Sequence, residues 1–106
     1  MDKREKDYWL VQRYLEGDPE AKNELVSDYG RLVVSCAYKV ARFLDDTLSA
    51  NLVEEDYQDL CGDVWYKVLS KLSSYKAQSK LSTWIVAVAS NEVKNKIFKG
   101  DSHLLL

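Results

Sequence analysis

The chain has 106 residues, 46% of them apolar and 30% charged, with one proline and four glycines. That length suits a single domain, the composition excludes a disordered chain, and no apolar run approaches the roughly 20 residues of a membrane-spanning helix. Net charge is only −2, yet residues 1–63 carry 8 Lys/Arg against 15 Asp/Glu, while residues 64–100 carry 7 lysines against Glu92 alone. Such a split fits two different partners, the basic part facing phosphates, or simple variation along a small domain.

Apolar residues recur close to every 3.6 positions, which predicts an all-α fold, a compact bundle of four helices. The first spans about Glu5 to Glu16, with Trp9, Leu10, Tyr14 and Leu15 as its apolar side, and Gly17 ends it. Asp18 and Pro19 open the second. Asp18 accepts from free N–H groups, Pro19 lacks a donor that the first turn would waste, and Glu20 suits the helix dipole. The second helix continues through Leu25, Val26, Tyr29, Leu32, Val33, Cys36, Ala37, Val40 and Phe43, with Gly30 as a point of bending.

Residues 44–55 read as the longest loop. Asp56 is then the N-cap of the third helix, Asp59 completes an acidic capping box, and Leu60, Val64, Val68 and Leu72 form its buried stripe. The polar stretch 73–80 breaks the pattern. Ser79 or Ser82 caps the fourth helix, which runs to about Lys99 and stops at Gly100. The domain is expected over residues 1–100 with a flexible tail over 101–106, and Trp84, Leu60, Val64, Val68, Leu32 and Val40 are expected in one core.

No catalytic set emerges. There is no Ser/His/Asp order, no Gly-rich phosphate loop and no His/Glu pair, so neither an enzyme nor a metal or other cofactor is expected. The only histidine, His103, has no ligand spacing to Cys36 or Cys61. Those two cysteines sit in apolar periodic segments and read as buried free thiols. The first residues are charged and no apolar signal region follows, so the expected location is a reducing cytoplasm.

On a helical wheel, Trp84, Asn91, Lys94, Asn95 and Phe98 fall within roughly one 100° sector. Amides read base edges, lysine meets phosphate and aromatics stack on unpaired bases. The loop just before adds Tyr75, Lys76 and Lys80, the composition of a single-strand binding surface. The same residues would also serve as a core tryptophan with a solvated lysine face.

Three motifs, in order, resemble region 2 of the extracytoplasmic-function (ECF) sigma factors. Leu15-Glu16-Gly17-Asp18-Pro19-Glu20-Ala21 resembles the family's junction between its first two helices. Asp59-Leu60-Cys61-Gly62-Asp63-Val64-Trp65 resembles its polymerase-contacting motif. The run from Leu81 to Asn91, with Thr83-Trp84 and Ala89-Ser90-Asn91, resembles its promoter-melting segment. The resemblance covers Leu10 to Lys99.

What the resemblance implies is binding without bond chemistry. The third helix would dock on the clamp helices of the largest subunit of core RNA polymerase, with Asp59, Gly62 and Asp63 at contact positions. The loop from Tyr75 to Lys80 would hold a base flipped from the non-template strand of the −10 element. Asn91, Lys94 and Asn95 would meet the upstream edge of that element, and Trp84 would stand where duplex becomes single strand. Promoter DNA and an anti-sigma factor are the other implied partners. Gly62 replaces the family's usual glutamine, Ser90 stands where a basic residue is common, and Phe98-Lys99 stands where paired arginines usually close the helix. The family's second domain, a helix-turn-helix for the −35 element, has no counterpart here, as expected of a fragment or of a one-domain relative. The alternatives are a sigma-like adaptor that binds polymerase or a regulator without promoter reading, and a duplex-binding helix-turn-helix regulator. The eight-residue loop 73–80 is long for the latter's tight turn.

Overall fold

The computed structural model describes residues 2–100, with only the backbone of Lys99 and Gly100. Four α-helices carry the fold: α1 (Lys3–Leu15), α2 (Pro19–Leu48), α3 (Glu54–Lys71) and α4 (Leu81–Asn95). A 3₁₀ turn (Leu72–Ser74) extends α3, and a wider π-helical turn (Lys96–Gly100) extends α4. No strand occurs among the described residues. The expected tail 101–106, with His103, and the side chain of Lys99 lie outside what is described.

The junction of α1 and α2 follows from its own residues. Gly17 takes φ +95°, a left-handed conformation that side chains rarely adopt. There its N–H reaches the Tyr14 carbonyl and the Asp18 N–H reaches that of Arg13, the two bonds of a Schellman stop. Asp18 accepts from the Glu20 N–H at 2.9 Å, with Pro19 at the first helical position.

At 30 residues α2 is about 45 Å long at 1.5 Å rise per residue, and the molecule's longest extent is 46 Å. One face of it is buried every four residues or so, through Ala21, Leu25, Tyr29, Val33, Ala37, Ala41 and Leu44. Three of these are alanines, which let α3 and α4 approach closely. Against that face lie Leu60, Val64 and Val68 of α3 with Leu72 just beyond, and Leu81, Ile85, Ala89 and Val93 of α4. Each fully buried aliphatic side chain contributes about 1.5–3 kcal/mol relative to exposure. Leu32, Val40 and Trp84, expected inside, are partly buried and pack on the outside of this core.

Several expectations need correction. Trp9, Leu15, Val26 and Phe43 are exposed; the inner side of α1 is Asp7, Leu10 and Val11. Residues 44–55 are not a long loop, because α2 continues to Leu48 and only residues 49–53 connect it to α3. Asp45 holds this connector, accepting from the Leu52 N–H at 3.2 Å and the Tyr57 hydroxyl at 3.0 Å. Ser49 and Asn51 both take positive φ there.

The N-cap of α3 is Val53, not Asp56. Asp56 is the third helical residue, and its carboxylate accepts from the Val53 N–H, half of a capping box displaced three residues from the expected one. Neither Ser79 nor Ser82 caps α4. Its N-cap is Lys80, without a side-chain bond. Cys36 and Cys61 are free but only half-buried. Burial and the nearby Glu54 charge push the Cys61 thiol pKa up.

Candidate functional site

The outer face of α3 carries the acidic residues expected at a partner surface. Asp59 is exposed, and no hydrogen bond or ion pair engages it among the described residues. A Cβ built on Gly62 would meet nothing within 4 Å, so this glycine answers to no packing need inside the domain. Asp63, about half exposed, pairs with Lys96 beyond α4 at 3.6 Å. Tyr66, one turn on from Gly62, is 76% exposed.

The outer face of α4 carries Asn91, Lys94 and Asn95, all exposed and unbonded among the described residues, with Phe98 half exposed beyond them. They owe this to the opposite face, where Leu81, Ile85, Ala89, Val93 and Ile97 recur every four residues and are buried. Glu92 is the one acid of this basic half, and it is turned inward at 9% exposure. The acid therefore leaves the outer row's charge to its lysines.

Between these helices the loop departs from the sequence reading at Tyr75. Its ring is 3% exposed, its hydroxyl donates to the Ser79 carbonyl at 2.7 Å, and its edge meets Trp84 at 5.7 Å between centroids. Burial raises its pKa, with the Asp7 charge adding to the effect. Tyr75 is thus the inner brace of the loop and offers no face to a base. The signal was present: Leu72 to Tyr75 continues the stripe of Leu60, Val64, Val68 and Leu72 by one more turn. Lys76 and Lys80 are exposed, and Ala77 between them takes φ +59°, a strained conformation for a residue with a Cβ. Trp84 is half-buried, with part of its indole at the surface beside the loop.

The domain therefore presents an acidic α3 face and a loop–α4 face of cations, amides and aromatic edge. Residues 25–102 match the family model described as Sigma-70 region 2. The chain belongs to the sigma-70 region 2 family. It is 33% identical over 89 residues to the ECF RNA polymerase sigma-E factor of Haemophilus influenzae, covering 84% of this chain and 41% of that protein. To the RNA polymerase sigma-H factor of Pseudomonas aeruginosa it is 28% identical over 94 residues, covering 89% of this chain and 44% of that protein. The chain thus spans less than half the length of these relatives. No solved structure is a significant match.

As a region 2 domain the molecule has the all-helical fold the motifs implied, and the three motifs now have places. The first is the α1–α2 stop and start, the second the outer face of α3, and the third the beginning of α4. Among the described residues no helix is long and apolar enough to cross a membrane, and no group of three or more His, Cys, Asp or Glu is placed to hold a metal.

Proposed function

We propose that this region 2 domain docks on core RNA polymerase through Asp59, Gly62 and Asp63 and uses the loop 75–80 with α4 to recognise and melt the promoter −10 element. The observation that carries this reading is the division of polar residues between two adjacent helices. The acids of α3 and the amide and lysine row of α4 stand on helices packed against each other through their apolar faces, with the long Asp63–Lys96 pair between the outer rows. Docking of one face would fix the position of the other.

Lys76, Lys80 and Lys94 attract the backbone, while Asn91 and Asn95 meet base edges. Trp84 stands at the fork. Melting follows from differential affinity, since a domain that binds unpaired strand better than duplex shifts the equilibrium toward the open form. Extruding a base costs a few kcal/mol and stacking returns about 1–3 kcal/mol, so polymerase must supply the remainder. Tyr75 shapes the loop from beneath.

Fluorescence anisotropy of a labelled non-template strand across a salt series, with core polymerase present, tests the reading. Contacts from three or four lysines give a slope of roughly −2 to −3 in log affinity against log salt. Asn91→Ala should reduce discrimination between promoter sequences more than overall affinity, and Lys94→Ala should do the reverse. Equal affinity for promoter and scrambled single strands, unchanged by Asn91→Ala, would sink promoter reading and leave a polymerase-binding adaptor.

A further inference from the structure

The outer rows of α3 and α4 carry opposite charges side by side. On α3, Glu55 and Asp59 are exposed and engaged by no hydrogen bond or ion pair among the described residues, and Tyr66 projects at 76% exposure. On α4, Lys94 is exposed and equally unengaged, between Asn91 and Phe98. The two rows border one surface, because Asp63 and Lys96 meet at 3.6 Å across the seam between them. The helices run antiparallel, since Lys96 lies by Asp63 while Ile85 lies among Val68, Leu69 and Leu72. Within one chain the rows come no closer, each standing opposite its own buried face.

Such a surface is complementary to itself. A half-turn about an axis laid along the seam sets a second copy's acidic row over the first copy's basic row, and its basic row over the first's acidic row. Every contact is then made twice, which is the condition for a closed two-fold pair. The same axis keeps each residue at its own level along the seam. Asp59 and Glu55 of one copy arrive at the last turns of the other's α4, where Lys94 stands, and Tyr66 arrives near Asn91. At 18 residues α3 is about 27 Å long, and two helices side by side are about 20 Å wide, so roughly 500 Å² per copy is covered. A total of about 1,000 Å² belongs with transient associations, and exposed charge pairs weaken in salt.

We propose that a second copy of this chain is a partner of the α3–α4 surface: the domain pairs with itself, two-fold and charge against charge, with Asp59 of each copy on Lys94 of the other. The pairing rests on the exposed charges alone. Its consequence rests on the function read above, since the pair covers Asp59, Gly62 and Asp63 together with Asn91, Lys94 and Asn95. A paired chain thus withholds both its faces until core polymerase takes it apart.

Sedimentation velocity of the whole chain, over a wide range of concentration, tests this. At low salt the chain should pass from monomer to dimer as concentration rises, and the dissociation constant should increase about 10-fold or more between about 0.05 and 0.5 M salt. Asp59→Lys and Lys94→Glu should each weaken the dimer about 10-fold or more, because like charges then meet at two places. An equimolar mixture of the two variants should restore it, and so should the double variant, because every contact between positions 59 and 94 again joins opposite charges. Circular dichroism should show all variants folded, since both side chains are exposed. Core polymerase added to the dimer should draw it into complexes that hold one copy. A chain that stays monomeric at low salt, or single variants that dimerise like the parent, overturns the pairing while polymerase and promoter binding stand. A mixture no more dimeric than its parts overturns the contact between Asp59 and Lys94. Polymerase complexes that hold two copies overturn the masking. A chain that dimerises but as a dilute monomer binds neither polymerase nor promoter strand sinks the function and leaves the pairing.

Discussion

At the α1–α2 end Asp7, Asp18 and Glu24 are engaged by the fold, whereas on the outer face of α3 Asp59 and Asp63 are largely left for something else. Asp7 is 2% exposed and accepts from the Tyr29 hydroxyl at 2.7 Å, with Lys3 at 3.4 Å and also over the Tyr29 ring. Asp18 caps α2 and takes the Arg13 guanidinium at 3.0 Å, and Glu24 meets the same guanidinium at 3.4 Å. On α3, by contrast, Asp59 bonds to nothing described, and Asp63 has one long ion pair. Acid count alone would treat the two ends alike. Their partners separate acids that hold the frame from acids that face outward, and the separation predicts which substitutions move stability and which move binding.

If the α3–α4 end is held by apolar packing, truncating its core should cost more than any polar deletion at the other end. Ile85→Ala should cost about 2–5 kcal/mol, read from urea unfolding. Tyr29→Phe is next, at about 1–3 kcal/mol, because it removes the Asp7 hydrogen bond in a site where the second Asp7 oxygen already lacks a partner. Burial raises the Tyr29 pKa, with the Asp7 hydrogen bond and charge adding to it. Above the ordinary tyrosine pKa of about 10 the unfolded chain loses that proton first, so stability falls as pH rises toward the folded value. Tyr29→Phe should therefore also flatten the alkaline limb of a stability–pH curve. A variant as stable as the parent would break the claim that these acids hold the frame.

Arg13→Ala probes the same end more gently. The Arg13 hydrogen bond, helped by the Glu20 N–H, holds the Asp18 carboxyl below the usual carboxylate range. Its contribution is present above the ordinary Asp pKa and is lost as pH falls through the lowered folded value. Removing the guanidinium should raise the pH at which acid unfolding begins, with a small effect at neutral pH because the group is exposed.

The legible parts of the sequence were those whose cause lies within one turn of chain. Gly17-Asp18-Pro19 states its own stop and start, and Leu60, Val64, Val68 and Leu72 state one face. The misread parts depend on distant partners. Asp45 and Asp46 look like loop residues, but Asp45 closes α2 by bonding Leu52 and Tyr57. Val53 has no capping side chain, so the start of α3 is visible only from Asp56 reaching back. Tyr75 among lysines and serines reads as a surface residue unless the apolar stripe of α3 is followed one turn past Leu72. The outer row of α4 was readable, because Asn91, Lys94 and Asn95 follow from the helix period once its buried face is recognised.

Asp63 sharpens the comparison most, since it alone belongs to both descriptions: it faces outward and yet has a partner. Its pair with Lys96 is long at 3.6 Å and joins side chains 48% and 34% exposed, so Asp63→Ala should change stability by at most about 1 kcal/mol. Two binding effects of opposite sign should accompany that small change. Affinity for core polymerase should fall, because an acidic contact is gone. Affinity of the chain alone for single-stranded DNA should rise, because Lys96 is no longer neutralised and can meet a phosphate, steepening the salt slope by about 0.7. The double variant Asp63→Ala with Lys96→Ala should lose the gain in DNA binding and keep the loss in polymerase binding. Thermal unfolding, a polymerase pull-down and a salt series on the three proteins check all of this together. A stability loss as large as that of Tyr29→Phe would place Asp63 among the frame-holding acids and erase the division between the two ends.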